Sequence, residues 1–302
     1  MTDGNETGTG IEVSVVIPLY GDHRGRVSIG TVAEAWLAQD VPCEVVLATA
    51  GDLNLDGTGG ARIVTADPEL TAPGLLRNRG VAAARGRMLY LSDSDVAPLG
   101  RGYLRRCLEL AGEGAFAQPW MHRLPGPLSG PVVDLVPAPA PRPYCFVTPG
   151  PDGTLRPYPG EVITAKRMQH CGIVTEVPIM FPPPDLNPAA ADKRDWRAPF
   201  HWGAMLLDRR VFEEVGGYCR RYFGWGCEDD DLYVKVASQV LVRMAWATDA
   251  EGISCLHFEH PYPYAGTPER ESNSALYTRR LATGVEAMIA QDVADARAAA
   301  HV

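Results

Sequence analysis

The first apolar run, Glu12 to Leu19 (EVSVVIPL), is rich in β-branched residues and scarcely alternates. That pattern belongs to a strand buried on both faces of a parallel sheet. Pro18 and Gly21 end it, and Val27 to Gln39 then carries Ile29, Val32, Trp36 and Leu37 at helical spacing. Cys43 to Ala48 (CEVVLA) predicts a second buried strand and Arg62 to Thr65 a short third. Thr71 as N-cap, with Pro73 just inside, predicts a helix to about Ala84. Arg87 to Ser92 (RMLYLS) reads as a strand running into Asp93-Ser94-Asp95, and residues 101–111 look helical. Strand, helix, strand, strand, helix, strand, helix is the order of an open α/β sheet. Ligands of such sheets gather beyond the carboxyl ends of the strands. Pro18 to Asp22, Thr49 to Asp52 and Asp93 to Asp95 occupy those ends.

The pattern then breaks. Residues 119–200 are dense in proline (Pro137, Pro139, Pro141, Pro143, then Pro182 to Pro184) and predict a long irregular insertion over the sheet, read as acceptor-side walls. Order returns at His201 to Leu207, followed by a short helix (Asp208 to Val215) that Gly216-Gly217 stops. A helix from Glu228 to about Ser238, a strand from Ile253 to Phe258 and one or two closing helices over 269–299 complete the chain. The division expected is a disordered N-terminus (1–10), an α/β half (11–115), the Pro-rich insertion (116–200), a second ordered half (201–265) and C-terminal helices (266–302).

Composition narrows the function classes. A chain of 302 residues, 46% of them hydrophobic, buries enough surface to fold without disulfides or a structural metal. Its net charge of −9 argues against nucleic acid as a partner. An acidic protein that binds an anionic nucleotide needs a local device, and a metal ion is the one expected here. The seven cysteines stand singly and read as reduced thiols. The start, MTDGNETGTG, lacks the basic and apolar regions of a signal peptide. No apolar run reaches the roughly 18 to 20 residues of a membrane span. A cytoplasmic protein without a transmembrane segment is the expectation.

Three clusters carry candidate chemistry. Asp93 and Asp95, one residue apart at a strand end, can share a hard cation that reaches a diphosphate; the plainer alternative is that they cap the helix near 101. Glu228 to Asp231 are consecutive acids at a helix start. Such acids commonly just complement the helix dipole. Here Phe223, Trp225 and two glycines precede them, and carboxylates beside aromatics in a cleft gain the basicity of a general base. His257 and His260 close the strand in LHFEHPYPY. One of them, His257 in preference, can complete a metal site with Asp95. Arg77, on the helix before the Asp-Ser-Asp strand, is either a solvated charge or a diphosphate contact.

SVVIPLYG (14–21), LLRNRGVAAARGRMLYLSDSD (75–95) and GGYCRRYFGWGCEDDDLYVKV (216–236) together resemble GT-A-fold glycosyltransferases of the family 2 type. The third stretch is similar to the C-terminal segment of β-1,4-galactosyltransferases and polypeptide N-acetylgalactosaminyltransferases. The resemblance covers about half the chain and implies a Rossmann-like, mixed, mostly parallel sheet flanked by helices. It implies that Asp95 coordinates Mn²⁺ or Mg²⁺ on the donor diphosphate, with His257 or His260 as the later metal ligand. By the same resemblance Asp93 lies near the ribose, Pro18 to Tyr20 border the nucleotide, and Arg77 approaches it. Glu228 would grip the acceptor, Asp229 would be the catalytic base, and Trp225 and Asp230 would face the acceptor. The second strand departs from the family's acidic turn: it ends Ala48-Thr49-Ala50-Gly51-Asp52, so Asp52 alone is left to read the base.

The function expected is transfer of a sugar, with inversion, from a nucleotide-sugar (a UDP-sugar first) to a saccharide, natural product or peptide. The N-acetylgalactosaminyl relatives share part of the third segment yet retain configuration. A sugar nucleotidyltransferase or a non-catalytic nucleotide- or carbohydrate-binding protein are the alternatives.

Overall fold

The computed structural model describes residues 10–20, 29–52, 58–128, 130–170, 173–186, 196–247, 253–260 and 267–300. The expected disorder of 1–9 and the readings of Gly21, Asp22, Val27 and Pro261 to Tyr264 lie outside the described residues. The chain runs β1 (Val13–Leu19), α1 (Ile29–Leu37), β2 (Cys43–Ala50), β3 (Arg62–Ala66), α2 (Pro73–Ala83) and β4 (Met88–Leu91). It continues through β5 (Val96–Pro98), α3 (Tyr103–Ala111), β6 (Ala115–Ala117), β7 (Trp120–Leu124), β8 (Val136–Pro137), β9 (Val147–Pro149) and β10 (Thr154–Pro157). Then come β11 (Val162–His170), β12 (Ile173–Phe181), β13 (Met205–Asp208), α4 (Arg209–Glu214) and α5 (Glu228–Gln239). The last elements are β14 (Val242–Met244), β15 (Ser254–Phe258), α6 (Pro268–Thr283) and α7 (Val285–Ala299).

Seven strands form the central sheet, in the order β14-β6-β13-β4-β1-β2-β3. Strands β4, β1, β2 and β3 are parallel, and β13 runs antiparallel to β4 and β6. Every residue of β1 is buried, as its unbroken apolar run requires. Val13, Val15 and Ile17 join a core with α1 and α3, whereas Val16 turns to the opposite core with α2, α4 and α5. Fully burying each of these side chains is worth about 1.5 to 3 kcal/mol. Helix α2 lies close on β1 because Gly80 has no side chain: a Cβ there would stand 2.5 Å from Val16 Cγ1. That close approach fixes the helix that carries Arg77.

A second sheet, β5-β15-β7, builds one wall of the site. Strand β15 pairs antiparallel with β5, setting His257 opposite Val96, and Phe258 N donates to Asp95 O at 2.9 Å. This register brings the histidines to the Asp-Ser-Asp segment across 162 residues of chain, His257 minus Asp95.

Several expectations are corrected. The Pro-rich middle is not irregular throughout: it contains β7, the small β8-β10-β9 sheet and the long β11-β12 hairpin. Arg197 extends that hairpin, exchanging backbone hydrogen bonds with Met180 at 2.7 and 2.9 Å. Pro137 and Pro182 to Pro184 sit in connections and at strand ends, where no ladder N–H is needed, whereas Pro178 stands inside β12, opposite Ala165. Helix α2 is capped by Ala72 without a side-chain bond, not by Thr71. Helix α3 starts at Gly102, also without a side-chain cap, so Asp93 and Asp95 do not cap it. The short strands β5, β6 and β14 went unanticipated. No helix among the described residues is long and apolar enough to cross a membrane.

The C-terminal helices are fastened through charge. Lys235 of α5, fully buried, donates to Asp292 of α7 at 2.5 Å and to Gly217 O at 2.7 Å. Arg280 of α6 binds Asp231 and Asp292, each at 2.6 Å. Removing one member of a buried ion network leaves an uncompensated charge. Asp292→Ala should therefore cost about 3 to 5 kcal/mol in denaturant unfolding. The double change Lys235→Met with Asp292→Leu, which keeps the balanced Asp231–Arg280 pair, should cost less. A single-variant loss below about 1 kcal/mol would contradict this role.

Candidate active site

A cavity of about 600 Å³ opens beyond the carboxyl ends of β1 and β4. Pro18 and Tyr20 border it from β1, and Asp93 to Asp95 from the segment after β4. His201 to Gly203, Trp225 to Asp230, His257 and His260 complete the inner lining, and Trp196, Arg197 and Arg270 stand at its walls. Asp52 lies elsewhere, exposed after β2 and outside this lining.

Under the cavity lies Arg77, only 1% exposed. Its Nη2 contacts Asp93 Oδ1, its Nη1 donates to Asp229 Oδ1 at 3.2 Å, and the same Nη1 stands 3.9 Å from Glu228 Oε1. The guanidinium lies over the Tyr218 ring at 5.3 Å, and the Tyr218 hydroxyl donates to Asp229 Oδ1 at 3.1 Å. Gly203 permits this convergence: a Cβ there would meet Arg77 Nη2, Asp229 Oδ2 and Asp93 Oδ2, each at 3.1 Å. Arg77 lies beneath the acids, joining the Asp-Ser-Asp segment to the start of α5.

The four consecutive acids have separate fates. Asp231 faces away from the cavity, fully buried against Arg280, Lys235 and the Tyr222 hydroxyl. Glu228 is 3% exposed and accepts from Gly226 N at 2.9 Å. Burial, reinforced by Asp229 and opposed by Arg77, pushes its carboxyl up to about 8. Burial, with Asp229 and Asp231, pushes Asp230 up to about 7. Burial raises Asp229 too, and Asp93 adds to this; Arg77, His201 and the Tyr218 hydroxyl pull the other way. The turn into α5 uses Gly224 (φ +64°), Gly226 (φ +112°) and Cys227 (φ +67°). A left-handed backbone at a non-glycine residue costs roughly 1 to 2 kcal/mol. The loop is also clamped: Asn273 of α6 donates to Phe223 O at 2.9 Å and to Trp225 O at 3.1 Å.

Asp95, His257 and His260 offer ligand atoms that all lie within 4.8 Å of one another. His260 Nε2 is 2.9 Å and His257 Nε2 3.6 Å from Asp95 Oδ2. His257 Nδ1 faces Glu259 Oε2 at 3.3 Å, and Arg123 holds the same oxygen at 3.0 Å. Burial opposes ionisation of Glu259, but Arg123 and His257 hold it well below the usual carboxylate range. One buried carboxylate and two imidazoles, one of them backed by a carboxylate, fit a divalent cation. Both histidines reach Asp95, where the sequence had left a choice between them.

Other residues at the site carry no pattern that the sequence could reveal. His201 Nε2 stands 2.9 Å from Asp93 Oδ2. Tyr218, Arg123, Glu259 and Asn273 act through contacts made between distant elements. A lone histidine before a short strand, or a tyrosine after two glycines, gives no periodic signal.

Residues 189–260 match a family model described as the N-terminal domain of galactosyltransferase. This segment holds β13 to β15, the acid cluster and both histidines. No curated protein matches the chain in sequence. Among solved structures, S. aureus TarS 1-349 in complex with UDP-GlcNAc is 12% identical, with a TM-score of 0.51 over 94% of this chain and 71% of that one. GalNAc-T7 with UDP, GalNAc and Mn2+ is 16% identical, with a TM-score of 0.50 over 90% of this chain; this chain spans 47% of that one's length. At these identities the likeness is one of fold, the GT-A fold. The fold is thus the GT-A fold, and one segment of the chain, which carries the acid cluster and both histidines, matches a galactosyltransferase family model.

The raised Glu228 gives a stability prediction. Its folded value, about 8, lies above its unfolded value of 4.5. Its favourable contribution is therefore complete below pH 4.5 and is lost as pH rises towards 8. Glu228→Gln should flatten the fall in unfolding free energy across that window, measured by denaturation at a series of pH values. A wild-type and variant difference that stays constant with pH would show that Glu228 is not held protonated.

Proposed function

We propose that this protein moves a sugar from a nucleotide-sugar, a UDP-sugar first among candidates, to an acceptor hydroxyl by a single displacement with inversion. The observation that carries this reading is the convergence, on one cavity, of Asp95, His257 and His260, grouped closely enough to hold a metal ion, and of the Asp229 carboxylate. Asp229 Oδ1 is engaged by Arg77 and Tyr218, which leaves Oδ2 to accept a proton. The acceptor oxygen attacks the anomeric carbon, its proton passes to Asp229, and the bond to the nucleoside diphosphate breaks. Arg77 and Tyr218 keep the base oriented and oppose the rise that burial imposes on it. Glu228, held protonated at neutral pH, has the chemistry of a hydrogen-bond donor to the acceptor. Trp225 offers a ring face for a sugar or acceptor.

A divalent cation bound by Asp95, His257 and His260 would stabilise the charge that develops on the departing diphosphate. Two imidazoles favour a transition-metal ion such as Mn²⁺ over Mg²⁺, which takes oxygen ligands. Pro18, Tyr20 and Asp93 border the space left for the nucleotide. The exposed Asp52 is retained only as a candidate for reading the base. The acceptor and catalytic half and the cytoplasmic setting inferred from the sequence belong to the same proposal.

Two substitutions should behave differently. Asp229→Asn should lower kcat by roughly 10² to 10⁴ while donor affinity stays near wild type, because a base acts only in the transition state. Asp95→Asn should instead weaken metal-dependent donor binding in titration calorimetry. Wild-type turnover in both variants would refute the site. A product whose anomeric proton coupling shows retention would refute the single displacement.

A further inference from the structure

Arg270 is badly placed for the helix that carries it. It is the third residue of α6, after Pro268 and Glu269, where the partial positive charge of the helix end disfavours a cation. Glu269 and Glu271 on either side suit that end. Among the described residues Arg270 makes no ion pair. Its guanidinium lies 5.5 Å from the centre of the Trp225 ring, and its stem covers Gly226, where a Cβ would meet Arg270 Cγ at 3.5 Å. It lines the cavity beside Gly226, which stands two residues before the acid cluster. The Asn273 clamp holds the Trp225 backbone there, so the aromatic face and the cation are presented together. On the same clamped loop Phe223 is 69% exposed. Trp196, with Lys166 lying 4.2 Å over its ring, continues the pairing of indole and cation along the outer wall. Arg270 and Arg197 are thus cations on the walls of a cavity whose floor is acidic, in a chain of net charge −9. The acids on the cavity floor repel an anion less than their number suggests, since Glu228 and Asp230 are pushed up to about 8 and 7.

We propose that the acceptor carries an anionic group, a carboxylate or a phosphate, beside the ring that bears the reacting hydroxyl. Arg270 pairs with that group and Trp225 takes the ring face. This rests on the glycosyltransferase reading above and names the substrate class of that site. A guanidinium fork matches either anion in two-point geometry.

The test supplies the wild-type enzyme with Mn²⁺, a UDP-sugar and, in parallel arms, an aryl β-glucoside, the matching aryl β-glucuronide and the aryl β-glucoside 6-phosphate. Release of UDP and formation of product are followed together. One or both anionic acceptors should exceed the neutral one by about tenfold in kcat/KM, chiefly through KM. The arm that wins separates carboxylate from phosphate. Arg270→Gln should bring the ratio of anionic to neutral acceptor close to one, and Arg270→Glu should invert it; Arg270 is exposed, so both variants should keep the wild-type melting temperature. Equal use of all three acceptors, a ratio untouched by either variant, or UDP release with none of them glycosylated would overturn the proposal while leaving sugar transfer standing. No release of the nucleoside diphosphate from any nucleotide-sugar (UDP-, GDP- or dTDP-linked), with or without acceptor, would remove the glycosyltransferase reading and this inference with it.

Discussion

One buried guanidinium holds the site together. Arg77 comes from α2, yet its partners lie after β4 (Asp93) and at the start of α5 (Glu228, Asp229), the latter 152 residues away. Arg77 could not be buried alone, since an uncompensated buried ion costs several kcal/mol. It therefore requires the acids that surround it. The surrounding packing serves that meeting: Gly80 lets α2 close on β1, and Gly203 leaves room where the acids converge. Tyr218 gives the guanidinium a ring to lie on and gives Asp229 a hydroxyl. Specific geometry bought with buried charge is a poor source of stability and a good source of preorganisation.

The same economy separates the two ends of the cavity. Asp95 and the two histidines are assembled by strand register, because β15 pairs with β5 directly beyond the Asp-Ser-Asp segment. The acid cluster is assembled by a helix N-terminus reached through a tight glycine-rich turn and fastened from behind by Arg280 and Lys235. Strand register sets the proposed cation ligands, and a clamped loop sets the aromatic face. The elements on the proposed acceptor side are thus the ones nearest to loops, where recognition can vary while the sheet stays fixed.

Most of the first half was legible in the sequence. Strands β1, β2 and β4 announced themselves because two-sided burial demands unbroken apolar runs. Asp93 and Asp95 were legible from their place after such a run. The middle was not: β8 and β7, of two and five residues, are too short to show a period, and in the nine-residue β11 and β12 charged residues and Pro178 break the apolar run. The acid partners of Arg77 were not legible, because spacing does not tell which side of a helix meets which distant acid. Asp231 was grouped with its neighbours because adjacency along the chain hides the turn of roughly 100° that each helical residue makes. That turn sends it to the C-terminal helices while Asp229 reaches the cavity.

The account stands on one site in which a cation and a nucleotide-sugar bind together. The most direct measurement is the melting temperature in the presence of UDP-, GDP- and dTDP-sugars, each with Mn²⁺ and with EDTA. A ligand at 100 times its dissociation constant stabilises the native state by about 2.7 kcal/mol. For a chain of this size that is a rise of several degrees. A rise with a UDP-sugar and Mn²⁺ that disappears in EDTA is the result predicted. No rise with any donor, or a rise that persists undiminished in EDTA, would contradict it.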